Sequence, residues 1–358
     1  MSVRYIGSKA RIVDQIIDIL GQPGEEGIFV DAFCGTGAVA EAAARAGWPV
    51  RINDHLRCAV TITGARLIHR DLVPFDTIGG YQRALDRLNQ ASGFGGFVWR
   101  EYSPASSSHG AVKGVERRYF TEHNAIRIDA MRRLIAEWAD RGDLSPSEET
   151  LLIGDLLIAA NAVANIAGTY SCFLRNFSPN ALRAIEVLPR RLFDHHVHVE
   201  STHNDVYDVP ASPGDVIYFD PPYTKRQYAA YYHLLETIAV GDEPEVEGVT
   251  GLRPWKMKAS PFCYKTRALA ALARLVDETA AQRVLLSYSS EAHASLDGLL
   301  DAVSASGVAT MHYLGEISRY RPNQAARDNA ATVDEVVIEI VKQLHTPSDP
   351  CSSAHDGN

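Results

Sequence analysis

The chain has 358 residues, 46% of them hydrophobic and 22% charged, with a net charge of −9. That make-up suits one large globular domain, or one domain with an insertion, and no apolar run is long enough to cross a membrane. The acidic balance argues mildly against a nucleic-acid partner, since phosphate binding wants a basic footprint, so the local distribution of charge has to decide.

In chain order, Arg4-Tyr5-Ile6-Gly7-Ser8-Lys9 precedes a helix that Ser8 can cap, with Ile12, Val13, Ile16, Ile17, Ile19 and Leu20 mostly at helical spacing. Ile28 to Phe33 reads as a short buried strand. Cys34-Gly35-Thr36-Gly37 then turns into an alanine-rich helix over 41–46, and Val50 to Asn53 forms a second strand ending at Asp54. Gly35-x-Gly37-x-x-Ala40, with an acid nineteen positions after Gly35, matches a dinucleotide-type fingerprint. Glycine lets the backbone approach a ligand, a helix N-terminus favours a carboxylate or phosphate, and Asp54 can accept from ribose hydroxyls. This pattern implies an adenosine-containing cofactor without deciding between NAD and S-adenosylmethionine.

From about Leu56 to His195 the strand–helix alternation is interrupted, for longer than a connection inside a doubly wound sheet allows. The stretch reads as a mainly helical inserted domain, with helices over 117–141 and 151–167. Arg117, Arg118, Arg127, Arg132 and Arg133 either face phosphates or line a solvated helix face. Strands resume at Val197 to Glu200, followed by Asn204-Asp205, and at Val216 to Phe219. The latter runs into Asp220-Pro221-Pro222-Tyr223, then Lys225-Arg226-Gln227-Tyr228 and a helix over 231–239. Residues 250–267 contain no acid, carry Arg253, Lys256, Lys258, Lys265 and Arg267, and interleave Trp255, Phe262 and Tyr264, a plausible strand-holding loop. A fifth strand at 284–288, a helix at 296–303 and strands at 309–314 and 336–341 complete the pattern. The last two are joined by a polar segment around Arg319-Tyr320-Arg321-Pro322 and suit a closing hairpin with one antiparallel strand. The polar tail, 346–358, is expected to be disordered.

Two prolines end the fourth strand because they lack amide hydrogens and fix their own φ. The turn presents a carboxylate, carbonyls without neighbouring N–H groups, and a flat ring. An exocyclic amine has two hydrogens, which the Asp220 carboxylate and the Pro221 carbonyl can accept, while Tyr223 can stack on the ring. Such a corner suits alkylation of a nucleobase amine. The five cysteines (Cys34, Cys58, Cys172, Cys263, Cys351) are scattered, and the thirteen histidines lack H-E-x-x-H spacing. His195, His196 and His198 read as a pre-strand segment, so no disulfide frame and no metal are expected. Met1 is followed by polar residues rather than a signal peptide, and a cytoplasmic protein is expected.

Taken together, these motifs resemble those of the Dam-like (D12) class of adenine-specific DNA methyltransferases, specifically the type II restriction–modification methylases, over Arg4 to about Val341. The resemblance rests on Tyr5-Ile6-Gly7-Ser8-Lys9, Asp31-Ala32-Phe33-Cys34-Gly35-Thr36-Gly37, Asn53-Asp54 and Asp220-Pro221-Pro222-Tyr223. It extends to Arg118-Tyr119-Phe120-Thr121 and to Arg226 through Glu236. It implies a doubly wound, seven-stranded Rossmann-like sheet with one antiparallel strand, built from residues 1–60 and 196–345, with the helical insertion 61–195 recognising the DNA target. By the same resemblance Tyr5, Lys9, Asp31, Phe33, Gly35, Gly37, Asp54, Asp205 and Asp220 serve S-adenosyl-L-methionine. Asp220, Pro221, Pro222 and Tyr223 form the catalytic corner. Lys225, Arg226, Arg253, Lys256 and Lys258 are the expected DNA contacts. Double-stranded DNA is the implied partner, with a cognate restriction endonuclease as a genetic one. Methylation of cytosine N4 or of an RNA base stays open on the corner chemistry alone. An NAD-dependent oxidoreductase would leave the Pro-Pro-Tyr corner unexplained.

Overall fold

Strand residues that are apolar at every position need cover on both faces, which a parallel sheet flanked by helices supplies. The computed structural model describes residues 7, 9–93, 95–318 and 332–342. Seven strands form one sheet: β1 (Phe29–Asp31), β2 (Val50–Asn53), β3 (Val199–Thr202), β4 (Val216–Phe219), β5 (Arg283–Ser289), β6 (Gly307–Ser318) and β7 (Thr332–Lys342). Their order is β3-β2-β1-β4-β5-β7-β6. The first five named are mutually parallel, and β7 runs antiparallel to both β5 and β6. The expected α/β class, strand number and single antiparallel strand are therefore all present. A bulge between Tyr313 and Glu316 bends β6, with Gly315 at φ 96°.

Period-two alternation divides the core. Phe29, Val50, Ile52, Tyr218, Leu285 and Val337 face α1 (Val13–Leu20) and α2 (Ala38–Arg45). Each such fully buried apolar side chain contributes about 1.5–3 kcal/mol.

The helical stretch consists of α3 (Arg57–Leu67), α4 (Tyr81–Gln90), α5 (Phe97–Tyr102), α6 (Ser106–His109), α7 (Glu122–Asp140) and α8 (Pro146–Ala162). The long helix starts at Glu122 rather than Arg117, because Thr121 caps it by accepting from the Asn124 amide at 3.2 Å. Ser145 and Glu148 form a reciprocal capping box on α8, worth about 1 kcal/mol. α3 and α8 approach closely at Gly154, where a Cβ would lie 2.5 Å from that of Ala65. After β4 come α9 (Tyr228–Tyr231) and α10 (His233–Val240), where a single helix over 231–239 was expected. Leu234, Leu235 and Ile238 of α10 share one core with α3, α7 and α8. Packing thus runs continuously across the expected boundary at residue 60, which falls inside α3.

On the other face, α11 (Ala268–Glu278) and α12 (Leu296–Val303) cover Val30, Ile217, Phe219, Val284, Leu286 and Ile338. Among the described residues no helix is long and apolar enough to cross a membrane. Tyr5, Ser8, residues 319–331, Cys351 and the tail 346–358 lie outside the described residues.

Candidate functional site

The chain winds outward from β1 through β2 to β3, then returns to β4 and winds the other way. The carboxyl ends of β1 and β4 therefore border the topological switch point, where open α/β sheets hold ligands. Asp31 pairs in register with Tyr218, and the Ala32 amide donates to the Tyr218 carbonyl at 3.1 Å. Asp31 and Asp220 are thus delivered side by side to the head of an open cleft of about 1040 Å³, solvent at its mouth included.

One wall of the cleft is the glycine loop. The Cys34 amide donates to the Asn53 carbonyl at 2.9 Å, and Gly37, at φ 79°, donates to the Cys34 carbonyl at 2.7 Å. A Cβ on Gly37 would lie 2.6 Å from the Thr63 methyl, so this turn needs glycine for conformation and space. Asp54 accepts from the amides of Gly35 (3.2 Å) and Leu56 (2.9 Å), one on each oxygen, leaving lone pairs for hydroxyl donors. Asn53 ties the ends of three strands together, donating to the Ala32 and Asn204 carbonyls and accepting from the Asn204 amide and the Thr202 hydroxyl. Phe33 packs edge-on against Phe262 of the cleft wall and buried Phe219, and Asp205, exposed, stands at the rim while capping the turn at Tyr207.

The second wall is the proline corner. Lys9 is buried, with its ammonium 3.3 Å from Asp220 and 2.8 Å from Glu335. Burial opposes its charge, yet Asp220, Tyr223, Tyr218 and Glu335 together hold its pKa well above the ordinary lysine value. Burial pushes the Asp220 carboxyl up to about 6, against the pull of Lys9 and with the help of Glu335. Burial, with Asp220 and Asp54 adding to it, pushes Asp31 up to about 8. Asp54 also rises to about 6 through burial, tempered by the Leu56 and Gly35 amides. Among the described residues Asp31 Oδ1 has no hydrogen-bond partner although it is buried. A buried, unpartnered carboxylate oxygen beside a glycine loop fits a cationic or N–H donor of a ligand.

Tyr223 is not part of the cleft wall. Its ring packs against Tyr288 at 5.6 Å and its hydroxyl donates to Glu335 at 3.3 Å. Tyr228 supplies the aromatic in the wall, and a side chain on Gly7, at φ 81°, would meet its hydroxyl at 2.9 Å. The structure brings Lys9, Asp31, Phe33, Gly35, Asp54, Asp205, Asp220 and Pro222 to one cleft.

The basic candidates divide. Lys225, Arg226 and Lys256 are exposed beside the cleft. Lys258 instead turns inward, donating to Glu236 and the His55 carbonyl, both at 2.9 Å. Arg253 forms a two-pronged pair with Asp242 at 3.1 and 2.8 Å and also reaches Thr237. Both differ from the expected outward role because a buried carboxylate or hydroxyl lies within reach. The helical arginines divide as well: Arg117, Arg127 and Arg132 turn inward, whereas Arg133 is exposed beside Glu137 and Arg118 is partly exposed beside Glu116. Fully buried Arg117 binds Glu101 and the carbonyls of Gly248 and Val249, and Arg132 binds the last carbonyls of α10. Loop 255–263 is further fastened by the Gln227 amide, which donates to Ser260 O (3.2 Å) and accepts from Ser260 N (2.9 Å).

Sequence reasoning missed Glu335, which lies in β7 just before its apolar run and far from every motif, and the tether between Glu236 and Lys258. Outside the cleft, His69, Asp71 and His196 bring three ligand-type atoms within 4.8 Å of one another at the surface, a grouping that their spacing does not disclose.

A sheet switch point joining a glycine loop to an Asp-Pro-Pro-Tyr corner is consistent with a Rossmann-like methyltransferase fold. The family model for D12 class N6 adenine-specific DNA methyltransferases matches residues 5–293, and the chain belongs to this family. It is 30% identical to the type II methyltransferase M.FokI of Planomicrobium okeanokoites, across 96% of this chain and 53% of that protein. It is 30% identical to the modification methylase LlaI of Lactococcus lactis subsp. lactis, across 98% and 57%. The type II methyltransferase M.NlaIII of Neisseria lactamica is also 30% identical, across 81% of this chain and 84% of its own. The chain therefore spans little more than half the length of the first two relatives.

Proposed function

We propose that this chain transfers a methyl group from S-adenosyl-L-methionine to N6 of an adenine turned out of double-stranded DNA, as a modification enzyme with a cognate restriction endonuclease for genetic partner. The observation that carries the reading is the partly buried Asp220 carboxylate, 16% exposed at the end of β4, across the switch point from the Gly35 loop.

The cofactor, when bound, supplies an electrophilic methyl on a sulfonium. In our reading Asp54 accepts from ribose hydroxyls, and the open oxygen of Asp31 takes the ammonium. The loop at Gly35 and Gly37 lets the backbone approach, and Phe33 and Asp205 border the adenine end. Turning a base out of the duplex costs a few kcal/mol, so the corner has to replace lost pairing and stacking. Asp220 and the Pro221 carbonyl each accept one N6 hydrogen, which aims the nitrogen lone pair. Pro221 and Pro222 carry no N–H to compete with the amine. Tyr223, clamped through its hydroxyl, is the ring we assign to the flipped base. In-line attack needs positioning more than a general base, and the proton leaves through Asp220 once N6 is alkylated. Lys225, Arg226 and Lys256 are left to the phosphates, and the helical layer is our candidate for reading the target sequence.

The test is long-read sequencing of DNA from a methylation-deficient host expressing the protein, beside an Asp220→Ala control. N6-methyladenine confined to one short motif is expected in the wild-type sample only. Marks at cytosine N4, or no marks in either sample, would overturn the reading.

A further inference from the structure

Glu335 touches both arms of the corner with opposite edges. One oxygen lies 2.8 Å from the Lys9 ammonium and the other accepts the Tyr223 hydroxyl at 3.3 Å. Its side chain is only 12% exposed. It enters from β7, opposite Ser289 of β5, and is followed by the buried apolar residues Val336, Val337 and Ile338. A carboxylate in such a strand costs desolvation that no helix cap or sheet contact requires. We infer that Glu335 is a positioning residue for methyl transfer, holding the Lys9 ammonium and the Tyr223 ring in place around Asp220. The inference rests on the methyltransferase reading above.

The geometry gives the reason. Lys9 stands between two carboxylates and sits closer to Glu335 than to Asp220. With Glu335 gone, the ammonium would settle on Asp220 alone and occupy lone pairs that the target amine needs. Tyr223 would also lose the fixed point at the far end of its side chain. A third consequence is electrostatic. The ionisable groups facing Asp220 are Lys9, Glu335, Asp31 of β1, and the phenols Tyr218, Tyr223 and Tyr228. Glu335 is the fixed negative charge in that set that favours protonated Asp220, so neutralising it lets Asp220 stay ionised to lower pH.

The experiment compares kcat against pH for wild type, Glu335→Gln and Glu335→Ala on duplex DNA, with melting temperatures alongside. The alanine variant should lose about ten- to a hundredfold in kcat while melting near wild type, because small misplacements of reacting groups cost that much. The glutamine variant keeps the shape and drops the charge, and its acid limb should move down by about half a pH unit or more. An unmoved acid limb in the glutamine variant, or an alanine variant with wild-type kcat, overturns the inference. A wild-type protein that transfers no methyl group to DNA refutes the underlying reading and takes the inference with it.

Discussion

Arg117 and Asp31 are both buried ionisable side chains, and they differ in how completely their neighbours answer them. Arg117 has its guanidinium hydrogens on Glu101 and on three backbone carbonyls, those of Glu101, Gly248 and Val249. Asp31 keeps one oxygen without a partner, and its carboxyl is pushed up to about 8 by burial and by Asp220 and Asp54. A buried charge whose hydrogen bonds are all made holds structure together. A buried ionisable group left short of them stores free energy that a ligand can release. By this criterion Arg117 and Arg132 serve the fold, whereas the switch point holds Asp31 in reserve.

The widest separation between the two regions should come from Asp220→Ala. Methyl transfer by the purified variant is expected to fall about a thousandfold or more, the scale of losing a group aimed at the reacting centre. Its melting temperature should hold, since a poorly solvated carboxylate is removed. Near-normal turnover would break the comparison. Next comes Arg117→Leu, which takes away the buried cation of Glu101, leaves it only the more exposed Arg100, and should cost about 3 kcal/mol in chemical denaturation. Loss of activity with wild-type stability would show that this arginine serves a site after all.

A third, smaller effect is a pH dependence of sign opposite to ordinary acid denaturation. Asp31, Asp220 and Asp54 rise from 3.8 to about 8, 6 and 6. Between pH 4 and 8 the folded protein therefore binds more protons than the unfolded chain, and these groups make stability fall as pH rises. Asp31→Asn should raise the melting temperature at about pH 7.5 by a few degrees, about 1–2 °C for each kcal/mol regained, and change little near pH 4. An unchanged pH slope would remove Asp31 from the reserve. The smallest effect is expected at the exposed rim. Lys256→Ala should reduce the salt dependence of DNA binding by about one unit of log–log slope without touching stability. Arg253→Ala, being paired with Asp242, should leave that slope alone.

The chemistry of the site was far more legible in the sequence than the destinations of its charges. β2 and β4 fall where the apolar runs end, because Asp54 and the proline pair punctuate them unmistakably. The glycine loop was readable since only glycine tolerates φ 79° at residue 37 against Thr63. α3 was not read as a helix, since it is buried on several sides at once through Cys58, Ala59, Ile62, Thr63 and Ala65 and shows no amphipathic stripe. Arginine and lysine in a helix or loop carry no mark of what they will meet, so Arg117, Arg132, Arg253 and Lys258 could be assigned only once Glu101, α10, Asp242 and Glu236 were in place. Glu335 illustrates the same limit for acids, as its partners lie more than a hundred positions away.

That last separation has a consequence for how the protein comes into being. Lys9 and Glu335 are 326 positions apart, and β7 slots between two strands made before it. The glycine loop and Asp54 emerge from the ribosome well before β7, and the corner that they face is finished only when β7 is out. At about 5–20 residues per second, translation imposes an interval of tens of seconds between the two halves of the site. A nascent chain stalled before β7 therefore carries a cofactor loop but no Glu335, with Lys9 left to Asp220 alone.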